Sequence, residues 1–166
     1  MADEVDLSPA AGIRVSWDRA AVAALGRNPG AEPGWRLESP LPERYDALRI
    51  VSGATADGAL LLLCGALPAG AAHHDQEAIA ALVVDADGEA KPIEEALVST
   101  EYAADGSVRR LGFELYQAGH DYPVRAAADS RDTPGGNGAG RPDVTRMDFR
   151  LDGGSGAAVH ELVRRS

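Results

Sequence analysis

Short runs in which apolar and polar residues alternate fill much of the chain. The run LGFELY places Leu111, Phe113 and Leu115 on one face of an extended strand, and Glu114 and Tyr116 on the other. The runs GIRVSW and RMDFRL alternate in the same way. A period of two predicts β-strands with one buried face, which is typical of antiparallel sheets.

Asp-Gly pairs separate several of these runs. Asp87-Gly88 and Asp105-Gly106 each lie between two extended segments, and Gly119-His120-Asp121 joins two more. Asp-Gly favours a two-residue hairpin with a type I′ turn, because both central residues adopt positive φ there. We therefore predict eight to ten short strands joined mostly as sequential hairpins. Such a sheet hides its edges by closing into a barrel or by curling strongly.

Three segments depart from the alternating pattern. The continuous apolar run ALLLLCGAL, residues 59–67, contains Gly65 and predicts a strand that is buried on both faces or lies close to another backbone. Asp18 is positioned to cap a short helix that ends before Gly26. Residues 76–84 contain good helix formers but end in Leu-Val-Val before an Asp-Gly turn, so we predict a strand there.

The chain length of 166 residues indicates one domain with a sizeable core. We expect residues 1–10 to form a flexible acidic tail and residues 11–166 to form a single β-barrel-like domain. Within that domain, the glycine-rich segment 129–143 has no apolar anchor, which predicts a mobile loop.

The charge balance argues against several classes of partner. The net charge is −10, and no cluster of Lys and Arg exceeds two adjacent residues. We therefore expect neither nucleic acid nor an anionic membrane surface as a partner.

The segment MADEVDLSPA lacks the apolar stretch of a signal peptide, so we expect a cytoplasmic protein. Lys91 is the only lysine and Ala and Gly are abundant, a composition typical of a GC-rich bacterial genome.

The single cysteine, Cys64, excludes an intrachain disulfide and a cysteine-rich zinc site. Its leucine-rich surroundings predict a buried, unreactive thiol.

His73, His74 and Asp75, with Glu77 close by, form the densest group of metal-capable side chains. Adjacent residues of a strand point to opposite faces, and the local Pro, Gly and Ala content predicts a solvated loop. We therefore expect no metal site.

The segment Val83–Ala128 resembles the bacterial lipocalin-like proteins grouped with the carotenoid hydratase (hydroxyneurosporene synthase) and the AttH-type domain. The C-terminal segment GGSGAAVHELVRRS resembles the closing strand of that family. The residues that carry this second likeness are Gly154, Gly156, Glu161, Arg164 and Arg165. The resemblance implies a single-domain relative, because those proteins usually carry two such domains. The expected fold is all-β: an antiparallel meander forming a lipocalin-like (calycin-type) barrel or half-barrel, with a short N-terminal helix.

A cavity in such a barrel suits the binding of a small, largely apolar molecule. One alternative is a cofactor-free cyclase, isomerase or hydratase that uses Glu114, Tyr116 or Glu161 as its acid or base, because an apolar cavity raises the pKa of a carboxyl group. A second alternative is a non-catalytic interaction or accessory protein without a cavity. We expect no cofactor in any of these cases, and a homodimer is compatible with the sequence.

Aromatic side chains are the natural candidates for contact with an apolar ligand. These candidates are Trp17, Trp35, Tyr102, Phe113 and Tyr116. For the two tryptophans a core or barrel-plug position is favoured over a ligand-stacking pair, because large aromatic side chains dominate core packing. The run LGFELY leaves two arrangements open: an apolar lumen lined by Phe113, or a covered apolar face with Glu114 and Tyr116 lining the lumen.

Overall fold

The computed structural model describes residues 4–7, 13–38, 40–70, 77–131 and 144–164. Strands dominate these ranges, with one short helix. The elements are β1 (Glu4–Leu7), β2 (Val15–Asp18), α1 (Arg19–Ala24), β3 (Trp35–Leu37), β4 (Tyr45–Thr55), β5 (Leu60–Pro68), β6 (Ala78–Val84), β7 (Ala90–Tyr102), β8 (Val108–Gln117), β9 (Val124–Ser130), β10 (Val144–Leu151) and β11 (Gly154–Arg164).

Strands β4 to β11 form a closed barrel of antiparallel strands in chain order. The last of them, β11, pairs back onto β4 from Gly156↔Thr55 to Arg164↔Ala47 and closes the barrel. The predicted all-β barrel with a short N-terminal helix is therefore confirmed. Residues 78–84 are the strand β6, as predicted.

Three hairpins of the barrel share one loop sequence, Ala-Asp-Gly, at residues 56–58, 86–88 and 104–106. In each, the glycine has positive φ, and the residue before the loop hydrogen-bonds to the residue after it, as in the pair Ala103 and Ser107. These are three-residue loops in which a turn is followed by a left-handed glycine. The prediction of two-residue hairpins at Asp87-Gly88 and Asp105-Gly106 was wrong, although the positive φ of Gly106 was right.

The type I′ geometry occurs instead at Asp152-Gly153, between β10 and β11. Asp152 has a φ of 47° and Gly153 a φ of 90°. Asp152 is the only non-glycine residue with positive φ in the described ranges. The ladder pairs Leu151 with Gly154 directly across this turn.

The barrel carries two separate apolar cores. One fills its interior. It consists of Val51, Leu61, Leu63, Ala81, Val83, Leu111, Phe113, Leu115, Ala126, Ala128, Met147, Phe149, Leu151 and Ala158. The other core lies on the outside of β4, β5, β6 and β11, beneath the N-terminal elements. The run at 59–67 is apolar throughout because β5 contributes to both cores, with Leu61 and Leu63 inside and Leu60 and Leu62 outside.

The N-terminal elements cover this outer core. Strands β1, β2 and β3 form a small antiparallel sheet, and Asp18 caps α1 by accepting from the backbone N–H groups of Ala20 and Ala21. Gly26 follows the helix as predicted, but it is required for a different reason. A Cβ on Gly26 would lie 2.2 Å from the carbonyl oxygen of Thr55, so the chain passes too close to the barrel for any side chain.

Two predicted loose segments differ from the structure where it describes them. Within the predicted tail 1–10, Glu4–Leu7 forms strand β1 and pairs with β2. Within the predicted loop 129–143, Asp129 and Ser130 belong to β9. Residues 132–143 lie outside the described ranges.

Candidate functional site

The inner face of β8 is its apolar face. Leu111, Phe113 and Leu115 point into the barrel and are buried, so the arrangement with an apolar lumen is the observed one. Leu61, Leu63, Leu111 and Leu115 have at most a trace of accessible surface, as do several of their neighbours. The middle of the barrel is thus filled by its own side chains, as eight-stranded barrels allow.

The hydrogen-bonded ladder between β6 and β7 is short among the described residues. Only three pairs, from Leu82↔Pro92 to Val84↔Ala90, join these strands, whereas β4 and β11 share nine. No ladder pair joins Ala78–Ala81 of β6 to β7 among the described residues. We call this unpaired stretch, formed by Ala78–Ala81 of β6 and residues 95–101 of β7, the β6–β7 slit.

The inward-facing side chains along this slit are only half-buried, unlike those in the middle of the barrel. Ile79 lines it on β6, and Ala96, Val98 and Thr100 line it on β7. Three of these four side chains are apolar. The slit is therefore one part of the described barrel where inward-facing apolar side chains are not fully buried.

A buried ion pair lies at one end of the slit. The Nε of Arg49 on β4 donates to Oε2 of Glu77 at 3.0 Å, and the side chains are 5% and 3% exposed. Nη1 of Arg49 donates to Oγ1 of Thr100 at 2.9 Å. Because β5 and β6 lie between β4 and β7 in the barrel, the Arg49 side chain crosses the interior to reach Thr100.

A glycine makes room for this pair. A Cβ on Gly65 would lie 2.2 Å from Oε2 of Glu77, so β5 accommodates the carboxylate only because residue 65 has no side chain. Burial, and secondly the Glu77 charge, raise the pKa of the neighbouring Cys64 thiol to about 12. Cys64 belongs to the outer core and stays protonated at neutral pH, in agreement with the predicted unreactive thiol.

The predicted acid/base residues lie outside the barrel. Glu114 is on the outer face of β8, where its Oε2 lies 3.6 Å from Nη2 of Arg125, and Tyr116 follows on the same face opposite Glu95. Glu161 is on the outer face of β11, where its Oε1 accepts from the Trp35 indole at 2.7 Å. The structure therefore does not bring these three candidates together.

The predicted aromatic contacts are also dispersed. Trp17 is buried in the outer core and its indole N–H donates to Ser52, so both tryptophans pack between the N-terminal sheet and the barrel. Tyr102 ends β7 and is 47% exposed. Phe113 is the one member of the set that faces the barrel interior.

An open groove of about 1110 Å³ crosses the outer face of β7 to β10. Its floor is formed by the small ladder neighbours Ser99, Gly112 and Ala127. Glu114 and Arg125 line it as an exposed ion pair. The groove is wide open, and its walls combine polar and apolar surface.

The metal-capable group lies mostly outside the described ranges, which exclude His73, His74 and Asp75. Its described member, Glu77, is paired with Arg49. In the described part of the chain, no three His, Cys, Asp or Glu side chains come close enough to hold a metal ion. The same part contains no helix with the length and apolarity needed to cross a membrane.

Comparison with known proteins identifies no relative, because no family model, curated protein or solved structure matches the chain.

Proposed function

We propose that the protein binds a small, largely apolar molecule in the β6–β7 slit. The observation that carries this proposal is the break in the ladder beside half-buried apolar side chains that face the barrel interior. Ligand sites are concave and mostly apolar, with a few convergent polar groups that fix orientation. Ile79, Ala96 and Val98 supply the apolar wall, and the Arg49–Glu77 pair supplies the polar end.

The filled middle of the barrel favours the slit over the central lumen as the site. A molecule in the centre would have to displace side chains that have almost no accessible surface, such as Leu63 and Leu111. A molecule in the slit covers apolar surface that is already partly accessible, and burying that surface contributes about 25 cal/mol per Å². Catalysis is not part of the proposal, because Glu114, Tyr116 and Glu161 share no site. The likeness to the carotenoid hydratase group stays a prediction.

The experiment is a titration with Nile red, an uncharged dye whose fluorescence rises in apolar surroundings. Ala96→Trp fills the slit from the inner face of β7, and Leu97→Trp places the same side chain on the outer face, where Leu97 is 46% exposed. We expect saturable binding to the wild type and to Leu97→Trp, and at least tenfold weaker binding to Ala96→Trp. Circular dichroism and melting curves establish that both variants fold, and Ala96→Leu is the milder substitution if Ala96→Trp does not.

The matched pair also separates the slit from the outer groove. Leu97 lines the groove, so a dye bound there would be displaced by Leu97→Trp and unaffected by Ala96→Trp. That outcome, or equal binding to both folded variants, would contradict the proposal. Absence of saturable binding to the wild type would favour the accessory function instead.

A further inference from the structure

We infer that the ligand of the β6–β7 slit is an uncharged amphipathic molecule with a hydroxyl or carbonyl oxygen at its polar end. This inference rests on the proposed function of the slit. It concerns the head group of the ligand, which the apolar wall of the slit does not determine. The groups that decide it are Arg49, Glu77 and Thr100.

Charge compensation within the site disfavours a charged head group. Arg49 and Glu77 already neutralise each other at 3.0 Å, and both side chains are almost completely buried. A ligand carboxylate would be attracted by Arg49 but repelled by Glu77, and a ligand ammonium would meet the reverse. Neither attraction would offset the cost of removing the ligand charge from water, which is large in an apolar environment.

Thr100 provides a suitable contact for a neutral oxygen. Its hydroxyl accepts from Nη1 of Arg49 at 2.9 Å, and a hydroxyl that accepts one hydrogen bond can still donate its own proton. Donation to a ligand oxygen would extend the chain of hydrogen bonds that begins at Glu77. Val98 and Ala96 follow Thr100 along the same inner face, so the apolar body would run about 13 Å along β7 from this contact.

Competition against bound Nile red tests the head group at pH 8 with three probes of equal chain length: dodecan-1-ol, dodecanoate and dodecylammonium. We expect the alcohol to displace the dye at least tenfold more effectively than either ion. Equal or stronger displacement by dodecanoate or dodecylammonium would overturn the inference, as would failure of the alcohol to displace a dye that Ala96→Trp excludes. In these cases the slit remains a binding site. Failure of the wild type to bind the dye at all would instead overturn the proposed function, and the inference with it.

Two substitutions test the individual groups. Glu77→Gln removes the charge that compensates Arg49, so dodecanoate should gain at least tenfold in affinity while the alcohol does not. Because this variant breaks a buried ion pair and can fail to fold, Thr100→Val provides an independent test. It should weaken dodecan-1-ol by about five- to tenfold, the value of one hydrogen bond, and leave Nile red binding unchanged. Ser99→Ala, one residue along on the outer face, is its control, and equal alcohol affinity in Thr100→Val and Ser99→Ala would refute the role of Thr100.

Discussion

The hydrogen bond from the Trp17 indole to Ser52 joins the N-terminal sheet to the barrel, and its removal has a calculable cost. The donor and acceptor are 2.9 Å apart, and both residues are buried with almost no accessible surface. Ser52→Ala removes the acceptor without changing the shape of the contact appreciably. Water does not reach the indole N–H there, so the N–H stays without a hydrogen bond.

The expected destabilisation follows from this unsatisfied donor. A buried polar group that loses its partner costs about 1–3 kcal/mol. For a domain of this size, each kcal/mol lowers the melting temperature by about 2–4 °C, so Ser52→Ala should melt roughly 2–12 °C below the wild type. In a double-mutant cycle with Trp17→Phe, the coupling energy should be about 0.5–1.5 kcal/mol, because the double variant has neither the unsatisfied donor nor the unsatisfied acceptor.

Urea denaturation followed by far-ultraviolet circular dichroism measures each free energy of unfolding without depending on tryptophan emission. Ser99→Ala is the control, since Ser99 lies exposed on β7. A Ser52→Ala protein that unfolds at the same urea concentration as this control would refute the packing of the N-terminal sheet on the barrel. A coupling energy near zero would show that the two side chains do not interact.

Two further predictions concern a turn and an exposed ion pair. Gly106→Ala should destabilise the protein by about 1–2 kcal/mol in thermal unfolding, because Gly106 has a φ of 88°. Gly30→Ala is the control, since residue 30 has no such backbone strain. Equal melting temperatures of the two variants would contradict the prediction. The hydrogen bond from Arg110 lowers the pKa of Asp129. The ionised carboxylate therefore stabilises the fold fully at pH values above the ordinary pKa of about 4. This contribution is lost as the pH falls through the lowered pKa. Asp129→Asn should therefore cost up to about 1 kcal/mol at pH 7 in low salt and less in strong acid. An equal cost at pH 7 and pH 2 would argue against the ion pair as the cause.

Alternation identified the barrel strands wherever one face meets solvent. In β8, the inward Leu111, Phe113 and Leu115 and the outward Glu114 and Tyr116 follow the predicted faces. The covered half of the barrel obeys the same rule less visibly, because the N-terminal sheet buries its outer face as well. The unbroken apolar run of β5 indicates that both faces of this strand are buried. It does not identify the element that covers the outer face.

The turn type could not be derived from the Asp-Gly pair alone. Asp-Gly fits both a two-residue type I′ turn and the end of a three-residue loop with a left-handed glycine. Which one forms depends on whether the preceding residue, such as Ala86 or Ala104, pairs in the ladder or joins the loop. That choice is made by the register of the whole sheet, because a shift of one residue would turn every side chain to the wrong face.

The residues of the proposed site were missed for a related reason. Arg49 stands in an alternating strand like any solvent-facing arginine, and only closure of the barrel turns its face inward. The local signal was Gly65, because a glycine inside an otherwise apolar strand often marks the close approach of a ligand or another backbone. In the structure a side chain approaches it instead. That side chain is the Glu77 carboxylate, which immediately precedes β6 and cannot be identified from the sequence of β5.

Closure by the pairing of β11 with β4 has a consequence for the order of folding. The edge of β4 stays open until the last strand of the barrel has been synthesised, and the bond between Trp35 and Glu161 joins residues 126 positions apart. Contacts of such long range slow folding, because the chain entropy is lost before the contacts form. We therefore expect folding in about milliseconds to seconds, with the Tyr45–Thr55 strand as the segment most exposed to aggregation during synthesis. The N-terminal sheet is synthesised before β4 and covers the outer face of that strand. It can therefore protect the apolar residues of β4 from aggregation until the barrel closes.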